Sequence, residues 1–521
     1  MHSEKIAKGA TYLTIQSVTM YLFSFLFYII VSRALDATDI GKLSLLMMIG
    51  SVFSLTNPSL HYALQKFIPK FVEEGRRDVS DSIIRTGLVV LVAISGTVLI
   101  ILLIMNTQVS TLLFGSTLER WPLIIILLAT FILNFTIFFG GQMLGLGMFK
   151  ETAIQNILNT GISRPVAIVL ALSGLGLLGI TLGWLIGAVV ALVFSIYALR
   201  RNLNLKRGFS VKRILEFSIP VHLLAIIMFI QGWADIAILY ALGRDLSQIG
   251  VYYLVISGAL ILTIFYVPIS MTILPALSAR YTSDGIEGMS SLANTYIRII
   301  FKILIPVGIS FAVISSTAIE LIYGLQYVSG AIPFGMIAAT SVLPAFSLLI
   351  VAIIQATGNT RPLITMGLAS SLADVVLVAT LASSLGGVAG AAGRIAFSAV
   401  GAILGYYLVR DKIKLNILSE LKQPLIAAAT VATPLFVIDQ FMSITLNLPL
   451  IMRVSIDVLA FTTMATIFIY ISQYFTAGDF DLLRQAMPKR LGTIITKIER
   501  ILNRQKSSTL DRQTSISRQN D

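Results

Sequence analysis

The sequence predicts an all-α polytopic membrane protein with about 14 transmembrane helices. Of its 521 residues, 56% are hydrophobic and only 12% are charged. The mean hydropathy of +0.89 is too high for a soluble core with a polar surface. Because hydrocarbon offers the backbone no water, apolar runs of about 20 residues must satisfy their own hydrogen bonds as helices.

Long apolar runs follow one another along the whole chain and define the predicted spans. The first six cover residues 12–31, 43–63, 87–105, 121–144, 153–172 and 175–198. After a basic linker come residues 217–239, 252–274, 299–319, 331–354, 362–381, 388–409, 425–442 and 454–470. Pro434 and Asp439 interrupt the thirteenth run, which is therefore the weakest of the set.

The distribution of basic residues predicts the topology. Lys and Arg resist translocation and accumulate on the cytoplasmic side of a membrane. With the N-terminus inside, most of the 38 Lys and Arg residues fall in cytoplasmic segments, so we expect a multi-pass protein of the cell membrane with both termini cytoplasmic. The net charge of +13 follows from this asymmetry and from attraction to anionic membrane lipids, and it does not indicate a nucleic-acid partner.

Cysteine and processing signals are also informative. The absence of cysteine excludes disulfides, thiol catalysis and cysteine metal sites. Lys5 and Lys8 precede a full-length first span without a short apolar region and cleavage site, so we expect no removed signal peptide.

An internal repeat relates the two halves at an offset of about 210 residues. The matched pairs are Ala34-Leu35-Asp36 with Ala241-Leu242-Gly243, Ile40-Gly41 with Ile249-Gly250, Pro58 with Pro268, and the segment from Gln142 with the segment from Gln355. Six spans per copy is an even number, so both copies enter the membrane from the same side. This is the parallel-repeat plan of a transporter with two lobes and a substrate path between them.

The repeat predicts the domain organisation. The segments are an N-terminal six-helix lobe (1–199), a cytoplasmic linker (200–214), a C-terminal six-helix lobe (215–409), helices 13 and 14 (410–475), and a cytoplasmic end (476–521). In that end, apolar residues recur at helical spacing between Leu491 and Leu502 with bases interspersed, which indicates an interfacial helix on the membrane or a partner-binding helix. The polar residues that follow have too little apolar surface to order themselves.

Asp374 and Arg394 lie symmetrically about Ser384, in a predicted hairpin that turns through residues 385–392. In an antiparallel hairpin the two charges reach similar depth and can pair. The pair would either lock two helices together or take part in substrate binding or ion coupling.

Arg164 stands about 16 Å of helix rise past Ala153, close to mid-membrane. No acid lies at its level on the sequence-adjacent spans, and the nearest polar candidate on the fourth span is Asn134. Because lipid exposure of a guanidinium is costly, Arg164 should face a wet cavity, an anionic ligand or a partner on a distant helix.

Further polar residues are candidates for substrate binding. Asp235 follows Gln231 by one turn in the seventh span and would titrate with transport, hold a cation or serve as a hydrogen-bonded structural acid. His61 and His222 lie near Pro58 and Pro220 toward cytoplasmic helix ends, where a hydrogen-bonded core role is the simpler interpretation.

Lys66, with Lys70, Arg76 and Arg77, follows the second span. These bases would gather phosphate or form a solvated cytoplasmic loop. Neither a catalytic constellation nor a metal site is predicted, since the three histidines are dispersed and no phosphate loop, zinc-ligand helix or nucleophile elbow occurs. We expect no cofactor and no enzymatic activity.

Several short motifs recur in a fixed order along residues 5–475. They are Arg33-Ala34-Leu35 with Ile40-Gly41, Gln142 through Gly147 with Phe149-Lys150, Gln355 through Gly358, and Gly387 through Ala392. In order and spacing they resemble the polysaccharide-transport (oligosaccharide flippase) branch of the multidrug/oligosaccharidyl-lipid/polysaccharide exporter superfamily.

That resemblance implies two six-helix lobes around a central cavity, plus two added helices. It also implies a flippase that moves a lipid-linked oligosaccharide from the cytoplasmic to the outer leaflet by alternating access. The expected partner is an oligosaccharide joined to a polyprenyl carrier through phosphate or pyrophosphate, in a cationic cavity, and glycan-assembly enzymes are further candidate partners. The first, second, seventh and eighth spans contain no mid-membrane Arg or Lys, so that charge must come from Arg164 or from the Lys66 rim.

Two other functions remain open. A multidrug exporter of the same superfamily would carry small organic cations. A membrane glycosyltransferase or polymerase would need a sizeable outer domain with acidic catalytic residues, whereas the longest predicted outer loop covers only residues 106–120.

Overall fold

The described part of the chain is helical throughout. The computed structural model describes residues 2–200, 210–243, 245–358, 361–446, 448–472, 474–476, 478–480, 484 and 496. Most of the predicted linker (residues 201–209) and the predicted C-terminal amphipathic helix, apart from residue 496, lie outside the described residues. No β-strand occurs within the described ranges, which confirms the all-α fold class.

Eighteen helical segments occupy the described residues, and the longest of them, Val267–Val313, is broken at Gly285, where the backbone leaves helical geometry. They are α1 His2–Ala34, α2 Ala37–Ser54, α3 Leu60–Glu73, α4 Arg77–Ile104, α5 Asn106–Phe114, α6 Arg120–Gly145, α7 Phe149–Leu170, α8 Gly176–Leu199, α9 Val211–Gly243, α10 Leu246–Ala259, α11 Val267–Val313, α12 Ser315–Ile322, α13 Ala331–Ala339, α14 Val342–Ala356, α15 Arg361–Leu385, α16 Gly387–Val409, α17 Ile417–Gln440 and α18 Leu450–Ser472. Short 3₁₀ segments at Leu260–Phe265 and Leu325–Gly330 connect neighbouring helices.

Thirteen helical stretches of the described residues are long and apolar enough to cross a membrane. One of them, Phe149–Leu199, contains the predicted fifth and sixth spans. It reverses direction at Gly174, where the backbone leaves helical geometry, and therefore supplies two crossings. Thirteen stretches, one of which crosses twice, give the same number of crossings as the predicted 14 spans.

The predicted second span is broken in the structure. A continuous helix was expected over residues 43–63, but α2 ends at Ser54 and α3 begins at Leu60. Ser59 adopts φ +55, and the Asn57 side-chain oxygen accepts a hydrogen bond from the Leu60 amide at 3.2 Å. Hydropathy extends across this break because Pro58 and its neighbours interrupt the backbone without interrupting the apolar run.

The described helices divide into two compact units. One contains Met1–Ser257 with Val375–Gly390, and the other contains Gly258–Asp374 with Ala391–Asp521. In the first unit, buried side chains of α3, α4, α6 and α9 form a common core that includes Leu64, Leu91, Phe138 and Ile214. In the second, Tyr296 and Leu304 of α11 pack with Leu349 and Ile353 of α14. The lobe boundaries given by the sequence repeat stay a prediction.

Within the first unit, two repeat-related glycines pack against each other's helix. A Cβ placed on Gly41 would overlap the Leu246 carbonyl, and one on Gly250 would overlap the Ala37 carbonyl. Such close backbone approach requires glycine. The contact is reciprocal. Gly41 touches Leu246, Gly250 touches Ala37, and in the predicted repeat Gly41 corresponds to Gly250 and Ala37 corresponds to Leu246. A two-fold relation between two copies produces contacts of this kind.

In the second unit, a buried carboxylate anchors the segment that follows the last span to α11. Asp479 is fully buried and accepts hydrogen bonds from Arg298 Nε at 2.7 Å, Lys302 Nζ at 3.1 Å and the Thr476 amide at 2.9 Å. The Tyr474 hydroxyl donates to the Lys302 carbonyl at 3.0 Å. We call these five residues the Asp479 clamp.

Candidate functional site

A tight hairpin of α7 and α8 brings an arginine and a tryptophan together. Gly179, Gly183 and Gly187 lie four residues apart on one face of α8 and pack against the backbone of α7. A Cβ on Gly187 would lie 2.5 Å from Ser163 Cβ, and one on Gly183 would overlap Ala167. Small residues at this spacing let two membrane helices approach closely through their backbones.

The Arg164 guanidinium lies between two aromatic rings. Its Cζ is 4.7 Å from the centroid of the Phe27 ring on α1 and 5.3 Å from that of Trp184 on α8. Both distances allow a cation–π interaction. Aromatic faces attract the positive charge but accept no conventional hydrogen bond, so they leave the N–H groups at the edge of the guanidinium unoccupied.

Two nitrogens of the guanidinium have no acceptor among the described residues. Arg164 Nε and Nη1 are buried, and within the described residues neither has a hydrogen-bond partner. A buried donor without a partner costs about 1–3 kcal/mol, and more when the group is charged. Among the described residues, the guanidinium is therefore held by its ring contacts, with part of its hydrogen-bonding capacity unused.

Arg164 is one of the residues that line a cavity of about 240 Å³ inside the first unit. Residues of α2, α6, α7 and α8 line it, and its polar side chains are Ser51, Ser54, Thr130, Asn134, Asn159, Thr160, Ser163 and Arg164. Several of the hydroxyls donate to the carbonyl three or four residues earlier, as Ser54 does to Ser51 at 2.7 Å and Thr130 does to Ile126 at 2.8 Å. Their lone pairs, together with the Arg164 charge, make the wall both hydrogen-bond accepting and cationic.

Asn134 contributes an amide to the same cavity. It is fully buried, and its Nδ2 donates to Thr56 Oγ1 at 3.3 Å. Its Oδ1 has no donor among the described residues. Arg164 and Asn134, which the sequence placed about one turn apart in depth, thus line one cavity.

Asp235 lies apart from this cavity. It is fully buried on α9, and the Tyr252 hydroxyl of α10 donates to its Oδ2 at 2.6 Å. A Cβ on Gly390 would lie 2.5 Å from the Tyr252 ring. The absence of a side chain at Gly390, within the motif Gly387 through Ala392, therefore makes room for this tyrosine. Gln231, one turn earlier, is half-buried and is not among the residues that line the cavity.

The histidines and Lys66 lie near the break between α2 and α3. His222 Nδ1 of α9 is 3.2 Å from the Ser59 hydroxyl, and His61 contacts the neighbouring Tyr62 ring. The Lys66 ammonium lies 4.0 Å from the centroid of the Phe217 ring. The His222 and Lys66 contacts connect α9 to the start and the body of α3, and the structure does not bring these residues to Arg164.

Asp374 and Arg394 belong to α15 and α16. Asp374 is buried and Arg394 is half-buried, and both take part in polar or electrostatic interactions. Their roles, like those of the other sequence-predicted site residues, stay predictions. Within the described residues, no group of three or more acidic or histidine side chains could hold a metal ion.

Sequence reasoning missed the residues that surround Arg164. Phe27 comes from α1, far away in the chain, whereas Trp184 comes from the next helix and reaches Arg164 through the close α7–α8 packing at the α8 glycines. Asn159, Thr160 and Ser163 carried a usable signal, because they share a helical face with Arg164 in an otherwise apolar span. A polar stripe of this kind in a membrane helix indicates a wet surface.

The fold has known counterparts among solved structures. A multidrug resistance MATE family transporter of the MOP superfamily, in an inward-facing conformation, is 17% identical, with a TM-score of 0.62 over 80% of this chain and 99% of that one. The lipid II flippase MurJ, in an inward closed conformation, is 14% identical, with a TM-score of 0.67 over 88% of this chain and 98% of that one. The chain is thus a multi-pass membrane protein with the fold of MOP-superfamily transporters.

The sequence itself gives the family. A profile described as polysaccharide biosynthesis protein matches residues 6–281. The chain belongs to this family, which confirms the resemblance drawn from the short motifs. No curated protein shows significant sequence similarity to the chain.

Proposed function

We propose that this protein is a flippase that translocates a lipid-linked oligosaccharide from the cytoplasmic to the outer leaflet of the cell membrane by alternating access. The observation that carries the proposal is the cavity that Arg164 lines, where a guanidinium with two nitrogens that lack acceptors among the described residues joins a wall of hydroxyls and amides. Membership of a polysaccharide biosynthesis family supports an oligosaccharide as cargo. The likeness to a lipid II flippase supports a lipid-linked one.

The chemistry of the cavity suits a phosphorylated sugar. A sugar head group that crosses hydrocarbon without partners loses several kcal/mol for each unsatisfied hydroxyl. Polar side chains along the path offset that cost. The guanidinium presents N–H donors in a planar fork, which matches a phosphate or pyrophosphate oxygen pair.

The size of the cavity limits what it holds. Whole-ligand pockets usually measure about 300–1,000 Å³, and this cavity measures about 240 Å³. It would therefore receive one part of the head group, the phosphate with an adjoining hydroxyl. A positive cavity also disfavours small organic cations, the cargo expected of the rival drug-exporter function.

The test is leaflet exchange in proteoliposomes loaded with a polyprenyl-diphosphate-linked oligosaccharide. We expect Arg164→Ala to slow flipping about tenfold or more, because a hydrogen bond to a charged group contributes about 1.5–3 kcal/mol. Arg164→Lys should retain part of the rate, since lysine keeps the charge but not the fork. Arg410→Ala is the matched control: that arginine also stacks on a ring, with its Cζ 4.5 Å from the Tyr407 centroid, but its side chain is 50% exposed.

Two results would contradict the proposal. One is a wild-type flipping rate in the Arg164→Ala protein. The other is a wild-type protein that flips no lipid-linked oligosaccharide and instead moves cationic dyes, as a drug exporter would.

The predicted orientation is part of the same proposal and can be tested on its own. Because the chain contains no cysteine, a single cysteine introduced near either terminus is a unique label site. Both sites should react with a membrane-impermeant maleimide only after the cells are opened.

A further inference from the structure

Two aspartates meet within the last two helices of the second unit. Asp439 lies at the end of α17, and Asp457 is the eighth residue of α18. Each side chain is only 2% exposed. Both helices are membrane-crossing candidates. The two helices pack against each other, and the Thr317 hydroxyl contacts both Asp439 and Arg453, which precedes Asp457 by one turn on α18. The two carboxyls are therefore neighbours in one buried cluster.

The hydrogen bonds around the pair leave one carboxyl without a donor. Asp439 Oδ1 accepts a bond from the Thr317 hydroxyl of α12 at 2.6 Å. Within the described residues, no N–H or hydroxyl donates to either oxygen of Asp457. The group within its hydrogen-bonding reach is the Asp439 carboxyl, and two ionised carboxylates have no hydrogen to share.

The nearby charges do not neutralise the pair. Arg453, one turn before Asp457, directs Nη1 to Glu320 Oε2 at 3.5 Å and Nη2 to the Thr317 hydroxyl at 2.5 Å. Its charge is therefore shared with the Glu320 carboxylate. Counting both aspartates, three carboxyls face one guanidinium.

The other described elements against this cluster add no charge. The described elements that pack on α17 and α18 are α11, α12 and the segment Phe441–Thr445; the last turns of α11 and that segment contain no Asp, Glu, Lys or Arg, and α12 contributes only the Glu320 already counted. Two like charges in contact at a buried position cannot both ionise, and such pairs keep a proton. A proton also supplies the missing donor, because a protonated carboxyl becomes one.

We propose that Asp439 and Asp457 form a proton-binding site in which the two carboxyls share one proton. The proton holds α17 against α18, and its loss would place two negative charges in contact and separate the helices at this level. Asp457 stands about 10 Å of helix rise from Leu450, so the site lies within reach of the turn that joins the two helices. The proposal does not depend on the identity of the transported substrate.

Infrared spectroscopy of the full-length protein in lipid nanodiscs, without substrate, tests the site directly. The C=O stretch of a carboxylic acid is well separated from carboxylate bands. We expect the wild-type minus Asp457→Asn difference spectrum at neutral pH to show the loss of one carboxylic acid per chain. Asp439→Asn should give the same loss, because the new amide donates to Asp457 and leaves it ionised.

Two further variants keep the test decisive. Asp411→Asn, at a side chain that is 88% exposed, should leave the band unchanged. Asp457→Glu keeps an acid at the site and should shift the band without removing it, which covers the case in which an asparagine variant fails to fold.

Three results would overturn the proposal. One is a difference spectrum without a carboxylic-acid band in well-folded asparagine variants. Another is a band that the glutamate variant leaves in place. The last is a band that disappears when potassium is exchanged for sodium, which would assign the pair to a metal cation instead of a proton.

Discussion

The environments of Arg164 and of the Asp479 clamp differ in how completely their hydrogen bonds are satisfied. In the clamp, Arg298 and Lys302 both donate to one fully buried carboxylate, and the Thr476 amide adds a third donor. At Arg164, two aromatic rings attract the charge while Nε and Nη1 have no acceptor among the described residues. A satisfied charge network is self-sufficient, whereas an incomplete one needs something from outside the chain.

The difference follows from what each charge contacts. The Asp479 carboxylate accepts the hydrogen bonds of all its neighbouring donors. The clamp therefore needs no further partner and fixes the segment after the last span to α11. A ring face is attractive but accepts only weakly, so Arg164 is held in place with its donors still available. The comparison thus separates a structural role for the clamp from the binding role that we propose for the cavity.

The largest expected effect is on the clamp. Asp479→Ala would leave two cations, one of them on the buried Lys302, without their partner, and removing one member of a buried ion pair typically costs about 3–5 kcal/mol. We expect a loss of that size in the free energy of unfolding, measured by thermal or denaturant unfolding in detergent micelles. Leaflet exchange by the surviving folded fraction should be close to that of wild type.

Asp411→Ala is the control for this variant. The Asp411 carboxylate lies 3.7 Å from Arg410 with its side chain 88% exposed, and exposed pairs contribute little. Its removal should change the unfolding free energy by less than about 0.5 kcal/mol. Equal losses in the two variants would show that the Asp479 clamp is not a stabilising network.

A smaller part of the same stability should vary with pH. Burial opposes ionisation of Asp479, but the Thr476 amide, the Arg298 hydrogen bond and the Lys302 charge outweigh it and hold the pKa below its ordinary value of 3.8. A group whose folded pKa is lowered stabilises the fold at every pH above its unfolded pKa. That contribution is lost as pH falls from about 3.8 through the lowered folded value.

The measurement compares wild type with Asp479→Asn across the acidic range. The difference between their unfolding midpoints should be constant above the ordinary pKa and should shrink in more acidic buffer. A difference that stays constant down to the most acidic condition would mean that Asp479 does not lose its contribution through protonation.

Much of the fold was accessible from the sequence because hydrocarbon leaves few choices. Apolar runs of sufficient length must be helices, and the repeat was visible in pairs such as Gly41 and Gly250. The break between α2 and α3 was not predicted, since hydropathy averages over a short interruption. The reciprocal contact of the repeat glycines required knowledge of which helices cross.

The candidate site was accessible only in part. A mid-membrane arginine is conspicuous in sequence, so Arg164 was selected, but neither Phe27 on the distant helix α1 nor Trp184 on the next helix has a sequence signature that pairs it with Arg164. Asp439 was noticed only as an interruption of the thirteenth span, and Asp457 not at all. Whether a buried charge is satisfied depends on tertiary contacts that spacing along one helix does not contain.

The sharpest test of the comparison replaces Arg164 and Arg298 by methionine in two separate variants. The smaller change in stability is expected for the Arg164 variant. Arg164→Met gives up cation–π contacts of about 0.5–2 kcal/mol but also removes two buried donors, each of which costs about 1–3 kcal/mol without a partner. We expect the unfolding free energy to change by less than about 1 kcal/mol, while leaflet exchange falls as in Arg164→Ala. Arg298→Met should behave in the opposite way, losing about 1.5–3 kcal/mol of stability because it removes a charged hydrogen bond to Asp479. If Arg164→Met proves as destabilising as Arg298→Met, the guanidinium at 164 is a structural element and the cavity loses its claim to the substrate.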